Sequence, residues 1–104
     1  MKKAIQIDDK DNVATVTDDV RKGEAVEILS PDGRVLLTAK PVDDIAFGHK
    51  LSLRKIKEGE EIVKYGEVIG VASKNIPAGE WIHTHNVDSA RLNMAGEEVR
   101  GITG

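Results

Sequence analysis

Apolar residues in this chain fall in brief runs rich in valine and isoleucine, broken at short intervals by glycine, with no sustained 3.6-residue stripe. That pattern predicts short strands and turns rather than helices. Strands are expected over residues 4–8, 12–17, 24–29, 34–39, 49–56, 61–65, 67–73 and 80–87. The clearest turns are DDKDN (8–12) and SPDGR (30–34), the second with proline, aspartate and glycine in hairpin-compatible order. Residues 88–98 read as a short helix or as loose chain, and Gly101 and Gly104 mark a frayed end. The folded domain is therefore expected over 1–87, with 88–104 as a tail or linker.

A repeat lies beneath the strand pattern. The motif apolar-x-x-Gly-Glu-x-apolar occurs as VRKGEAV (20–26), IKEGEEI (56–62) and IPAGEWI (76–82). Each copy sets a glycine where a turn needs positive φ, then an acidic residue, then a strand that re-enters the core. These glycines are read as architecture rather than as a ligand site. Consecutive arches of one kind point to a mainly β, folded-over sheet of short strands with little helix, not to a sandwich of long ones.

Composition narrows the function classes. A chain of 104 residues makes one domain with a single modest core. Charged residues are 32% of it, but 15 Lys and Arg stand against 18 Asp and Glu, an interspersed balance without the basic face of a nucleic-acid binder. Trp81, Tyr65 and Phe47 are the only aromatic residues, too few for base stacking. The absence of cysteine removes disulfides, thiolate nucleophiles and cysteine-ligated zinc. The N-terminus turns acidic before an apolar signal core forms, and no run approaches a membrane span, so a cytoplasmic protein is expected, with neither nucleic acid nor membrane as partner.

The candidate chemistry concentrates in GEWIHTHN, residues 79–86. In a regular strand Trp81, His83, His85 and Val87 share one face, and Ile82, Thr84 and Asn86 the other. A face that mixes apolar and imidazole groups fits the rim of a pocket, and equally fits locally hydrogen-bonded or solvated histidines. Two imidazoles can ligate one metal, but a stable site needs three or four ligands, with His49 the best third. His49 has the parity of Leu51 and Leu53, toward the core, whereas Lys50 shares the other face with Ser52 and Arg54. Lys64 can pair with a carboxylate and Tyr65 can hydrogen-bond a hydroxyl, although a solvated lysine and a packed ring explain both as well.

The segment from Ile45 to Val87 strongly resembles the N-terminal domain of the altronate and galactarate dehydratases, a SAF domain of β-clip fold. Gly48-His49-Lys50, Ile62-Val63-Lys64-Tyr65-Gly66 with Ile69-Gly70, and Ile76-Pro77-Ala78-Gly79-Glu80 leading into His83-Thr84-His85-Asn86 carry the likeness, and DNVATV near residue 11 extends it over most of 4–87. The resemblance implies part of a hydro-lyase that eliminates water from an aldonate or aldarate. It implies a large catalytic subunit or domain as partner, with iron(II) or a similar divalent metal in the complete enzyme. His49, His83 and His85 are then catalytic candidates, and Lys50, Lys64, Tyr65 and Asn86 substrate-binding candidates. The chain is also similar to the small subunit of the sulfolactate sulfo-lyases, which eliminate sulfite. A non-catalytic sugar-acid-binding or regulatory module is a third reading, and polar sheet edges leave self-association open.

Overall fold

The computed structural model describes residues 1–89. The helix considered over 88–98, with Gly101 and Gly104, therefore lies outside the described residues, apart from Asp88 and Ser89. The nine strands are β1 (Lys2–Ile5), β2 (Val13–Val16), β3 (Val26–Leu29), β4 (Val35–Ala39), β5 (Lys50–Ser52), β6 (Glu61–Lys64), β7 (Glu67–Ala72), β8 (Trp81–Ile82) and β9 (Val87–Asp88), with no helix among the described residues. Six strands form one sheet in the order β4-β3-β1-β2-β5-β8, and β6-β7-β9 form a second. All neighbours are antiparallel except β1 and β3.

Two departures from the expected strands matter for function. The run 49–56 forms a strand only over Lys50–Ser52. The run 80–87 is not one strand: β8 joins the six-stranded sheet through Lys50↔Ile82 and Leu51↔Trp81, and after a turn β9 joins the other sheet through Ala72↔Val87. Asp88, placed in the tail from sequence, belongs to that last strand.

The same division explains why Val13, Ala14 and Val16 of β2 are all buried, on both faces of the strand. Ala14 and Val16 face one core with Ala4, Val26, Ile28 and Leu51, while Val13 faces a second core with Ile56, Ile62, Ile76 and Ile82. β8 does likewise, with Trp81 packed on the first core and Ile82 in the second. Each fully buried valine or isoleucine contributes about 1.5–3 kcal/mol, so strands with both faces covered anchor the domain.

Among the described residues the arches number four, not three. Asp44-Ile45-Ala46-Phe47-Gly48-His49-Lys50-Leu51 folds as the other copies do, with histidine in the glutamate place. Gly23, Gly48, Gly59 and Gly79 adopt φ of 83°, 86°, 88° and 84°. Glu24, His49, Glu60 and Glu80 each donate a backbone N–H to the carbonyl three residues back. The arches pair as Val20 with Ile45 and Ile56 with Ile76, each pair exchanging two backbone hydrogen bonds of 2.7–2.9 Å. Asp19, Asp44 and Asn75, just before their anchors, accept the N–H of Phe47, Lys22 and Glu58 in the opposed arch at 2.8–2.9 Å.

Gly79 carries a second constraint. A Cβ there would lie 2.4 Å from the Lys40 carbonyl oxygen, whereas one at Gly23 would meet open space. Gly23→Ala should therefore cost about 1–2 kcal/mol for its left-handed backbone alone, and Gly79→Ala clearly more. Urea unfolding of both variants measures the difference, and equal losses would show that the packing around Gly79 yields.

Candidate functional site

The site grows from two arches in which the usual turn cap is missing. In the first and third arches the glutamate after the glycine caps its own turn: Glu24 Oε1 accepts the Arg21 N–H at 3.0 Å and Glu60 Oε1 the Lys57 N–H at 2.6 Å. His49 has no carboxylate, and its Nδ1 instead accepts the indole N–H of Trp81 at 3.1 Å. In the fourth arch the corresponding residue is Pro77, which has no N–H to cap, and the Glu80 carboxylate turns to the Asn86 amide at 2.8 Å. These two arches are the ones joined by β5 and β8.

Asn86 explains why the 80–87 run breaks. Its Oδ1 accepts the His83 N–H at 3.0 Å, and its Nδ2 donates to the Trp81 carbonyl at 2.9 Å and to Glu80. Its own N–H donates to the His83 carbonyl at 3.2 Å. The side chain is 0% exposed with its amide fully committed, so Asn86, expected at the substrate, shapes the histidine turn instead. His83, Thr84 and His85 occupy that turn and are exposed.

The three imidazoles meet around one indole. His83 stacks on Trp81 with ring centres 5.2 Å apart and planes 11° from parallel, and His85 lies 4.9 Å from the same ring. His49 is 5.7 Å from Trp81 and 5.3 Å from His83. His83 and His85 thus share a side of the molecule with Trp81, through a turn rather than strand alternation. Val87 leaves that set and packs on the second core. Trp81 is itself tethered where its N–H donates to Asp43 Oδ2 at 3.1 Å.

Beside this cluster opens a cavity of about 270 Å³ lined by Lys50, Ile69, Ile82, His83, Thr84, Val87 and Asp88. Partial burial, and next the nearby charge of Lys64, push the Lys50 ammonium below the ordinary lysine value. The Lys64 ammonium sits 4.6 Å from the centre of the Tyr65 ring. Tyr65, 60% exposed with φ 59°, forms with Gly66, φ 72°, the two left-handed residues of the β6–β7 hairpin. That hairpin stands on Asp11, whose carboxylate accepts the N–H groups of Tyr65 and Gly66 at 3.1 and 2.8 Å. The structure thus groups His49, His83 and His85, adds Lys50 through the cavity and Lys64 through its charge, and leaves Tyr65 on the hairpin tip.

Sequence reasoning placed Trp81 on the histidine face without a bond to His49, and did not single out Glu80, Asp43 or Asp11 as parts of this arrangement. A proline at the capping place of the fourth arch and a histidine at the glutamate place of the second were the available signals. As a metal centre the set does not fit. Among the described residues no three His, Asp or Glu side chains are arranged to hold an ion, and His49 Nδ1 is already engaged by the indole.

The model of the altronate/galactarate dehydratase SAF domain matches residues 2–90. The chain belongs to that family. It is 43% identical over 86 residues to the altronate dehydratase of Bacillus subtilis (strain 168), covering 83% of this chain and 16% of that protein. To the galactarate dehydratase (L-threo-forming) of Escherichia coli (strain K12) it is 41% identical over 78 residues, 75% of this chain and 14% of that one. The chain therefore spans about a sixth of the dehydratases it matches. A different proportion holds for the (2R)-sulfolactate sulfo-lyase subunit alpha of Paracoccus pantotrophus: 38% identity over 64 residues covers 62% of this chain and 92% of that subunit. The shared SAF domain is thus found both within long dehydratases and as nearly the whole of a subunit. No helix among the described residues is long and apolar enough to cross a membrane.

Two outcomes test the SAF site as built. Asn86→Ala should cost about 2 kcal/mol or more in urea unfolding, because it strands the buried partners of its amide. Lys50 should react with a limiting acylating reagent ahead of the fully exposed lysines, by mass spectrometry. A lowered pKa leaves more free amine at a given pH, so its labelling rate should level off at a lower pH than theirs. Lys64→Gln, which removes the second cause of the shift, should slow it.

Proposed function

We propose that this SAF domain is the small subunit or N-terminal domain of a sugar-acid dehydratase and helps form the substrate site for β-elimination of water from an aldonate or aldarate. The observation that carries the reading is the gathering of His49, His83 and His85 on Trp81, with His83 and Lys50 both lining the adjoining cavity. The reaction removes a proton from the carbon next to the carboxylate and expels hydroxide from the following carbon. It needs groups that accept and donate protons and a cation for the carboxylate.

Lys50 suits the second task. Its ammonium is partly desolvated and repelled by Lys64, and an incoming carboxylate relieves both penalties. His83 and His85 suit the first, since their rings are exposed and make no hydrogen bond among the described residues. Lys64 and the Tyr65 hydroxyl would meet the hydroxyl-bearing tail of a sugar acid at the edge of the cavity. A divalent metal, iron(II) or similar, belongs in this reading to the large catalytic region, because the three imidazoles form no ligand set. The complete enzyme would work in the cytoplasm.

A second reading has its own support, the Paracoccus subunit alpha of which the chain covers 92%. There the same surface would serve a sulfo-lyase, with sulfite as the leaving group.

The test is reconstitution. The chain alone should show no dehydratase activity, and adding a large catalytic region should restore it. His83→Ala with His85→Ala should then lower the rate by about 10²-fold or more, the usual worth of a positioned acid or base. A reconstituted rate untouched by both substitutions would remove these histidines from the site. Calorimetry showing tight sugar-acid binding by the chain alone would favour a self-sufficient binding module. Turnover of sulfolactate in place of aldonates would select the sulfo-lyase.

A further inference from the structure

We propose that Trp81 is a positioning residue that fixes His49 as the tautomer protonated on Nε2, so that this imidazole meets the substrate as a hydrogen-bond donor. The identity of the substrate rests on the dehydratase reading above; the tautomer rests on this chain alone.

An indole nitrogen only donates, so the nitrogen facing it must offer a lone pair. Trp81 Nε1 faces His49 Nδ1 at 3.1 Å. A neutral imidazole carries one N–H and one lone pair, so with Nδ1 accepting, the proton resides on Nε2. The imidazolium cation has no lone pair, and forming it breaks the bond.

The backbone that carries His49 and the ring of Trp81 are both held in place. The His49 N–H donates to the Ala46 carbonyl and its carbonyl accepts from Val16, at 3.0 and 2.9 Å. Trp81 is held by Asp43, by its pairing with Leu51, by the first core and by the stacked His83 ring. The remaining nitrogen, Nε2, has no partner among the described residues. Thr15 Oγ1 is the one buried side-chain polar atom among them without a partner, so Nε2 of half-buried His49 reaches the surface. The outcome is a division of labour within the cluster. His49 is set in advance as a donor toward an oxygen of the substrate, while His83 and His85, with no such partner, keep the capacity to accept a proton.

Trp81 is the only tryptophan, so a nitrogen-15-labelled sample of the full chain shows a single indole N–H resonance. That resonance should be protected from exchange and should shift as His49 is protonated. His49→Ala should abolish both effects, and His49→Asn, whose amide oxygen can replace Nδ1, should keep the protection. With the large catalytic region added, Trp81→Phe retains an aromatic ring but no donor. It should lower kcat about tenfold with KM within about twofold, the effect of losing one orienting hydrogen bond. His49→Asn, lacking Nε2–H, should fall as far as His49→Ala. An indole resonance that ignores both pH and His49→Ala overturns the bond, whatever the enzyme does. Full activity in Trp81→Phe or in His49→Asn, with the indole titrating as expected, overturns the positioning role. A rate indifferent to every substitution at His49, His83 and His85 overturns the dehydratase reading instead.

Discussion

The two sheets of this domain are joined at β2 and β6 largely by the side chains of Asp11 and Asn12, which stand in for a backbone ladder. Asn12 accepts the Val63 N–H at 2.8 Å on its Oδ1 and donates from Nδ2 to the Glu61 carbonyl at 2.8 Å. Its backbone continues the exchange, from its N–H to Val63 and from Leu53 to its carbonyl. Asp11 accepts three N–H groups, those of Asp8, Tyr65 and Gly66. Both side chains are about 5% exposed, where a carboxylate or amide is tolerated only with such complete satisfaction. The left-handed Tyr65 backbone costs roughly 1–2 kcal/mol, and hydrogen bonds to a buried carboxylate, roughly 1.5–3 kcal/mol each, offset it. Through this join the β6–β7 hairpin, and with it Lys64 and Tyr65, is held near Lys50.

The second dependence is on the arch. Each copy of the turn must satisfy any free N–H at its start, and two use the glutamate that follows the glycine. Where histidine replaces that glutamate, or proline removes the N–H it would cap, a polar side chain becomes available for other contacts. His49 and Glu80 are those two side chains, brought to neighbouring strands by the β5–β8 pairing. One engages the indole and the other engages Asn86. The candidate site thus arises where the repeat departs from its own rule, not from an element added to it.

Much of this was legible from residues 2–89. Valine- and isoleucine-rich runs bounded by glycine turns placed most strands to within a few residues, because β-branched runs cut by turn residues are a local signal. Three arches were visible because in each the Gly-Glu pair stands at the same offset from its apolar anchors. The second arch along the chain was hidden because His49, in the glutamate place, is the residue that breaks the motif. The strand expected over 80–87 fails at His83 for a reason no alternation pattern contains. Asn86 hydrogen-bonds backward to residues 80, 81 and 83, and a side chain that caps a local turn competes with a ladder. Asp11 and Asn12 looked like an ordinary turn, since partners 49 or more residues away leave no local signature.

The same accounting separates residues that the fold requires from residues it does not. Asn86, Glu80, Asp43 and Trp81 shape and anchor the histidine turn through the backbone and through buried groups, and each would be needed whatever occupied positions 83 to 85. His83, Thr84 and His85 bury little and hold no turn with their side chains. The rings of His83 and His85 lie against Trp81 but cap no backbone group, so the hydrogen bonding of the turn does not require two imidazoles there. Trp81 belongs to both groups, since its ring packs on the first core while its N–H engages His49. A change at Trp81 therefore acts on stability and on the site together, whereas changes at His83 and His85 act on the site with the fold left standing.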